Sequence, residues 1–246
     1  MKAFWQQLII QLRMDVRDKG TLLVFYLVPL GFYAVVGAVF SAVNPEIKPV
    51  LSATMAIFSV TMGAIIGLPP ALVKLREAGA LRAYQASGIP AFAVLVSLGI
   101  SAFIHLSIVV LIISLSAPGL YGAEVPQNVG GYIATLATFL FCCVAIGLLI
   151  GATAKSQAAA TLFSQAIFLP SMMLSGIMFP ANLLPTVLQY LGRLLPATHS
   201  MRAFNGLAYG VAGEYSASFA FLMVLGMGVA AMGAAAWRFE QLTRVD

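Results

Sequence analysis

Few residues in this chain are of a type and spacing that could do chemistry. Ser175-Gly176 and His199-Ser200 offer hydroxyls and an imidazole, the parts of a nucleophile and its base. Their neighbours do not build them into a site: no G-x-S-x-G elbow occurs, no H-E-x-x-H, and no paired carboxylates within an apolar stretch. Cys142 and Cys143 are adjacent. That spacing suits neither a disulfide framework nor a metal site, so they read as small apolar fillers. His105 is the one titratable group inside an apolar run, and with no nearby carboxylate it reads as a helix–helix hydrogen-bonding residue rather than a proton relay. No G-x-x-x-x-G-K-[ST] loop occurs, so the chain holds no ATP by a P-loop of its own. Any ATP-driven work must come from a partner.

The elements that would position these residues are set by composition. The chain is 61% hydrophobic and only 9% charged over 246 residues, with a mean hydropathy of +0.98. Soluble domains carry roughly 25% charge, so this is a membrane protein. Residues 1–246 read as a single all-α transmembrane domain of six spans, at 21–43, 50–73, 91–115, 131–154, 158–179 and 216–237, each close to the ~20 residues a bilayer requires. Pro29 is expected to kink the first span, the second to end near Pro69-Pro70, and Pro118-Gly119 to open a polar loop reaching Asn128. Gly63-x-x-x-Gly67 and Gly147-x-x-x-Gly151 offer faces for close helix approach.

Three segments lie outside the spans. Residues 1–19 form an interfacial helix, with Phe4, Trp5, Leu8, Ile9, Leu12 and Val16 on one face, Lys2, Arg13 and Arg17 opposite or at its border, and Asp15 intruding on the apolar stripe. Residues 74–90 hold a short amphipathic helix, with Leu75, Ala78 and Leu81 recurring every three residues and Tyr84 next. Between the fifth and sixth spans, Pro180, Pro185 and Pro196 break the chain around a helix-like piece at 183–195, too short to cross. Residues 180–208 therefore read as a half-inserted, re-entrant hairpin capping a pathway; the alternative is a surface amphipathic helix joining two spans.

Six spans put both termini on one side. Ten of the thirteen lysines and arginines then fall on that side, leaving only Lys48, Arg193 and Arg202 opposite. The basic excess marks the cytoplasmic face, and its placement beside spans disposes of nucleic acid as the partner. No Asp, Glu, Lys or Arg lies within the apolar part of a span, which argues against a pump driven by an ion gradient.

Two motifs carry a resemblance. R-E-x-G-x-L at Arg76, Glu77, Gly79 and Leu81, closed by Ser87 and Pro90, resembles the cytoplasmic loop of bacterial ABC type-2 export permeases. SGIMFP-x-x-x-LP from Ser175 to Pro185, then LP-x-T at Leu195 to Thr198 and an arginine at 202, resembles the same family's signature near the fifth span. The layout agrees along the whole chain. The loop departs from the family pattern at Ala80, where threonine is common, and at Arg82, where an acidic residue is frequent.

The resemblance implies a half-permease in the bacterial inner membrane, termini cytoplasmic. It would pair with a second copy or a sister permease and with two ATPase subunits that bind ATP and Mg, the chain itself holding no cofactor. The loop would couple to the ATPase through Arg76, Glu77, Gly79, Leu81, Arg82 and Tyr84. The expected activity is outward transport of a lipophilic or amphipathic compound. The pathway would lie at a dimer interface built from the second and fifth spans, lined by Phe58, Met62, Phe168 and Met172, although helical spacing alone favours core packing for any one of these. Pro180, Leu184, Pro185 and Leu188 would form an outer lid. The alternatives are a permease for a lipid-linked glycan and a non-transporting scaffold or sensor subunit.

Overall fold

The computed structural model describes residues 2–43, 45–86, 88–178 and 183–244, and among these all regular structure is helical. Six helices are long and apolar enough to cross a membrane: Lys19–Val43, Lys48–Glu77, Phe92–Tyr121, Val129–Thr153, Gln157–Leu174 and Ala217–Leu242. The all-α, six-span fold expected from the sequence is the fold observed. Four shorter helices accompany the spans, at Lys2–Arg17, Ala80–Ala86, Thr186–Gly192 and Pro196–Ala208.

The second span is the centre of the bundle. Every residue from Leu51 to Thr61 is buried, including Ser52, Thr54, Ser59 and Thr61. The first, third, fourth and fifth spans all pack on it, and the sixth packs on the fourth. Outward faces of the remaining spans carry exposed Leu27, Val35, Leu115, Leu162, Leu222 and Val229, as a bilayer-facing surface requires. Some of the hydroxyls inside the bundle are paired. Thr61 donates to the Ile57 carbonyl at 2.7 Å, and the Tyr132 hydroxyl of the fourth span meets Ser114 at 2.8 Å and Ser52 at 3.3 Å.

Pro69, Pro70 and Pro118 do not end their helices as expected. The first span widens into a π-helical turn at Leu23–Leu27 before Pro29, and the second does the same at Met62–Gly67 before Pro69 and Pro70. A proline lacks the amide hydrogen and its ring presses on the carbonyl four residues back; a wider turn makes room for both. The second span therefore does not end near Pro69-Pro70 but continues to Glu77. Likewise Pro118 sits inside the third helix, which runs to Tyr121 and is closed by Gly122 in a left-handed conformation with φ +67°. The loop expected from Pro118 begins four residues later. The fifth span is shorter than expected: its helix stops at Leu174, and Gly176 turns the chain away with φ +83°.

Both glycine pairs mark close approaches. A Cβ on Gly147 would stand 2.3 Å from the Ala64 carbonyl oxygen, and one on Gly151 3.2 Å from that of Pro69. On Gly63 and Gly67 it would meet only the flexible ends of Leu106 and Val24. The fourth span thus lies backbone-to-backbone against the second, a contact available only to glycine. Gly147→Ala is expected to destabilise the bundle by about 1–3 kcal/mol, seen as a melting midpoint in detergent lowered by roughly 2–10 °C. Gly226→Ala, where no atom lies within 4 Å of the added carbon, should leave the midpoint unchanged. Equal shifts for the two variants would remove the close contact from the account.

Candidate functional site

At the end of the bundle where the basic residues collect, the second span overruns its apolar part and delivers Arg76 and Glu77 to the turn between the fourth and fifth spans. Arg76 Nη1 donates to the Gly151 carbonyl at 2.8 Å and the Ala154 carbonyl at 3.0 Å. These are carbonyls of a helix end, where a cation meets both unpaired acceptors and the negative pole of the dipole. Gln157, first residue of the fifth helix, donates from Nε2 to Glu77 Oε2 at 2.6 Å. Two adjacent side chains therefore fasten the second span to both helices of the neighbouring turn.

Gly79 then breaks the helix with φ +69° and the loop helix Ala80–Ala86 follows. Arg76 and Glu77 belong to the end of the second span's helix, a correction to the reading that puts one amphipathic helix across residues 74–90. The reason lies in the π-helical turn, which carries the helix past the prolines. Leu81 and Tyr84 are half-buried against the core of this same chain, while Glu77, Ala78 and Gly79 are exposed. The Arg82 side chain and Ser87 lie outside the described residues.

The four residues named for the pathway fall into one region. Phe58 and Phe168 meet edge to face with ring centroids 5.9 Å apart, and Phe58 also stacks on Phe32 at 5.4 Å. Met172 is buried and Met62 half-buried. The second and fifth spans are therefore joined through an aromatic contact inside one chain.

At the opposite end, the helix Thr186–Gly192 leaves Val187, Tyr190 and Leu191 exposed, as is Leu183 before it. Leu184 and Leu188 are half-buried and Pro185 is exposed; Pro180 lies outside the described residues. The piece that sinks into the bundle is the next helix, Pro196–Ala208, which sequence pattern left unresolved within the hairpin. It buries Thr198, His199, Ser200, Met201 and Phe204 against the fourth and sixth spans. His199 Nε2 donates to the Arg193 carbonyl at 2.8 Å, which leaves Nδ1 to accept from the Tyr215 hydroxyl at 2.7 Å. Both nitrogens are thus engaged, and neither with Ser175 or Ser200. Burial, chiefly, holds the imidazole below its ordinary pKa. Glu214 bridges Arg202 at 2.9 Å and Arg193 at 3.2 Å, and the Arg202 hydrogen bond, with its charge, lowers the pKa of that carboxyl.

The structure also brings together residues that the sequence kept apart. Ser97, Ser101 and His105 recur every four residues on the third span, and Gln7, Gln11 and Asp15 do so on the N-terminal helix that packs against it. Ser101 Oγ donates to Asp15 Oδ2 at 2.6 Å, Gln11 Nε2 donates to Asp15 Oδ1 at 2.8 Å, and His105 Nε2 stands 3.8 Å from Asp15 Oδ2. The Tyr26 hydroxyl completes the chain at 2.7 Å from His105 Nδ1. His105 therefore does have a nearby carboxylate, supplied by another helix 90 residues away. The N-terminal helix accordingly turns Gln7, Gln11 and Asp15 toward the protein, and its Trp5, Ile9, Met14 and Val16 are exposed. Of the apolar face expected to meet lipid, Leu8 is buried and Phe4 and Leu12 are half-buried. Asp15 breaking the apolar stripe was the signal for this contact.

Comparison with known proteins accords with this arrangement. Residues 2–209 match the family described as ABC-2 type transporter. Two curated relatives, the inner membrane transport permease YhhJ of Escherichia coli (strain K12) and that of Shigella flexneri, are each 27% identical over 205 residues, 80% of this chain and 54% of theirs. The chain spans about half the length of the curated relatives it matches. With the family description covering the N-terminal helix, the first five spans and the hairpin through Tyr209, the chain belongs to the ABC-2 type transporter family.

Proposed function

We propose that this chain is the membrane-spanning permease subunit of an ATP-driven exporter in a bacterial inner membrane, moving a lipophilic or amphipathic compound outward. ATP and Mg would be bound by two separate ATPase subunits, and a second copy or a sister permease would complete the pathway. The observation that carries the reading is the double fastening of the second span to the fourth–fifth turn by Arg76 and Glu77. A force applied to the exposed Glu77–Gly79 corner would reach the second, fourth and fifth spans together. The aromatic contact of Phe58 with Phe168 carries the same movement to the level of the pathway. The exposed apolar side of Thr186–Gly192, with Leu183 before it, suits a lid that closes against the second permease, Leu184 and Leu188 anchoring it to its own chain.

The basic residues support the orientation, since with six spans ten of thirteen fall on the side read as cytoplasmic. Cysteines introduced at Ala78 and Val125, both exposed and at opposite ends, should label from opposite sides in sealed cells. Labelling of both from outside would overturn the assignment.

The chain is expected to co-purify with an ATPase whose hydrolysis is stimulated by transported compounds. Glu77→Lys should insert normally yet weaken that association by about tenfold, because reversing an interface charge costs ~1.4 kcal/mol or more. Retention of full association and transport would take Glu77 out of the interface.

Arg76 is assigned a positioning role. Arg76→Ala removes charged hydrogen bonds worth ~1.5–3 kcal/mol, so amide exchange across residues 151–158 should accelerate roughly 10–100-fold. Arg76→Lys, with one point of charge in place of a planar fork, should recover only part of the protection. Unchanged exchange in the alanine variant would show that the turn holds itself.

A further inference from the structure

A groove of about 700 Å³ runs along the first span, from Lys19 at one end to Leu30 and Gly31 at the other. We infer that it holds one acyl chain of an anionic phospholipid, with the headgroup at Lys19. The inference stands apart from the export reading. It uses only the reading of the basic end as cytoplasmic, which puts the lipid in the inner leaflet.

Length and chemistry specify the occupant. From Lys19 to Gly31 the helix rises about 18 Å, against a half-thickness of about 15 Å for the hydrocarbon core of a bilayer. A groove that starts at a charged residue and runs that far ends near the midplane, the reach of one lipid tail. A partner's spanning helix, ~30 Å long through the same core, would be met over only half its length. Beyond Lys19 the wall offers hydrocarbon. Leu23 and Leu27 are exposed, and Leu22 and Leu30 are half-buried. The Tyr26 hydroxyl is taken up by His105 Nδ1 at 2.7 Å, which leaves the ring to line the groove. At Gly31 a Cβ would meet no atom within 4 Å, so the absent side chain leaves open space at the inner end. The π-helical turn Leu23–Leu27 lies along the groove, and turns of this kind gather at functional sites.

Charge selects the headgroup. Lys19 is exposed, and no ion pair among the described residues takes it. The carboxylates nearest in sequence are engaged elsewhere: Asp15 accepts from Ser101 and Gln11, and Asp18 from Gly20 N, Thr21 N and the Thr21 hydroxyl. A lysine so placed lays its stem on the apolar wall and carries its ammonium to headgroup level. A zwitterionic headgroup would bring a second cation against it, and a lipophilic amine would be repelled outright. A free anion would leave the hydrocarbon wall unmet. A lipid whose headgroup is net negative answers both ends of the groove.

The test is photolabelling of the full chain in phosphatidylcholine nanodiscs, without ATP, by trace phosphatidylglycerol or phosphatidylcholine with the same diazirine-bearing acyl chain. Relative to label on the exposed face of the sixth span at Leu222 and Val229, label at residues 22–31 should be about fivefold greater with the phosphatidylglycerol probe. Lys19→Gln should bring the two probes level. Gly31→Leu, which adds carbon where no atom stands in the way, should remove the excess label from residues 22–31 and leave the sixth span's label unchanged. Should a variant fail to fold, the position of the label and the ranking of the two probes on the unaltered chain decide alone. Label spread evenly over the exposed spans, equal labelling by the two probes, or an undiminished excess in either folded variant overturns the site. Absence of label from residues 22–31 together with a disulfide between two copies through Leu27→Cys would make a second copy the occupant, and overturns it equally. Loss of transport in the assembled complex bears on the export reading alone, since this binding uses no ATP.

Discussion

The structure depends on the contact that brings the backbone of the fourth span against that of the second. Lipid offers no hydrophobic force to drive helices together, so close packing of small residues has to supply the attraction. Gly147 lies over the Ala64 carbonyl and Gly151 over that of Pro69. Because the two helices approach so nearly at that level, the last carbonyls of the fourth span come within reach of Arg76, two turns further along the second. The turn that follows is then short enough for Gln157 to find Glu77. Replacing the glycines by larger residues would push the fourth span outward and carry the whole turn beyond the arginine.

The same economy governs the polar groups. A membrane bundle has little water with which to satisfy stray donors and acceptors, so a hydroxyl or amide inside it is stabilised when another part of the chain meets it. The second span does this with Thr61 and Ile57, the fourth with Tyr132 between two serines, and the third with Asp15 brought in from the N-terminal helix. That last contact explains why a helix of mixed polarity at the start of the chain presents Gln7 and Gln11 inward. What it shows to its surroundings is Trp5, Ile9 and Val16, which suits contact with acyl chains.

How much of this could be read in advance follows from where each signal resides. The spans were legible because crossing a bilayer demands an apolar length that few other structures share. Their ends were less so. Pro69, Pro70 and Pro118 look like stops in one dimension, yet a π-helical turn or a position near the helix end lets the chain pass them. The family motif at Arg76 and Glu77 was visible, but not that these side chains grip their own chain, because Gly151 and Gln157 lie some 80 residues away. His105 and Asp15 were each noticed singly, as an apolar-run histidine and a break in a stripe. Only tertiary packing could put them 3.8 Å apart. The Pro196–Ala208 helix was missed as an element because its buried face mixes Thr198, His199 and Ser200 with apolar residues.

That helix also imposes an order in time. Its buried face rests on the fourth span, already made, and on the sixth, which emerges from the ribosome only afterwards. Tyr215, the partner of His199 Nδ1, comes between the two. Until the sixth span has been inserted, a helix with a histidine and several hydroxyls on one side lacks a large part of its packing, and leaving it in hydrocarbon would be unfavourable. The first five spans can therefore be threaded into the bilayer as they are synthesised, but this segment must wait at the membrane surface. The packing of this helix is therefore completed only once the sixth span is in place.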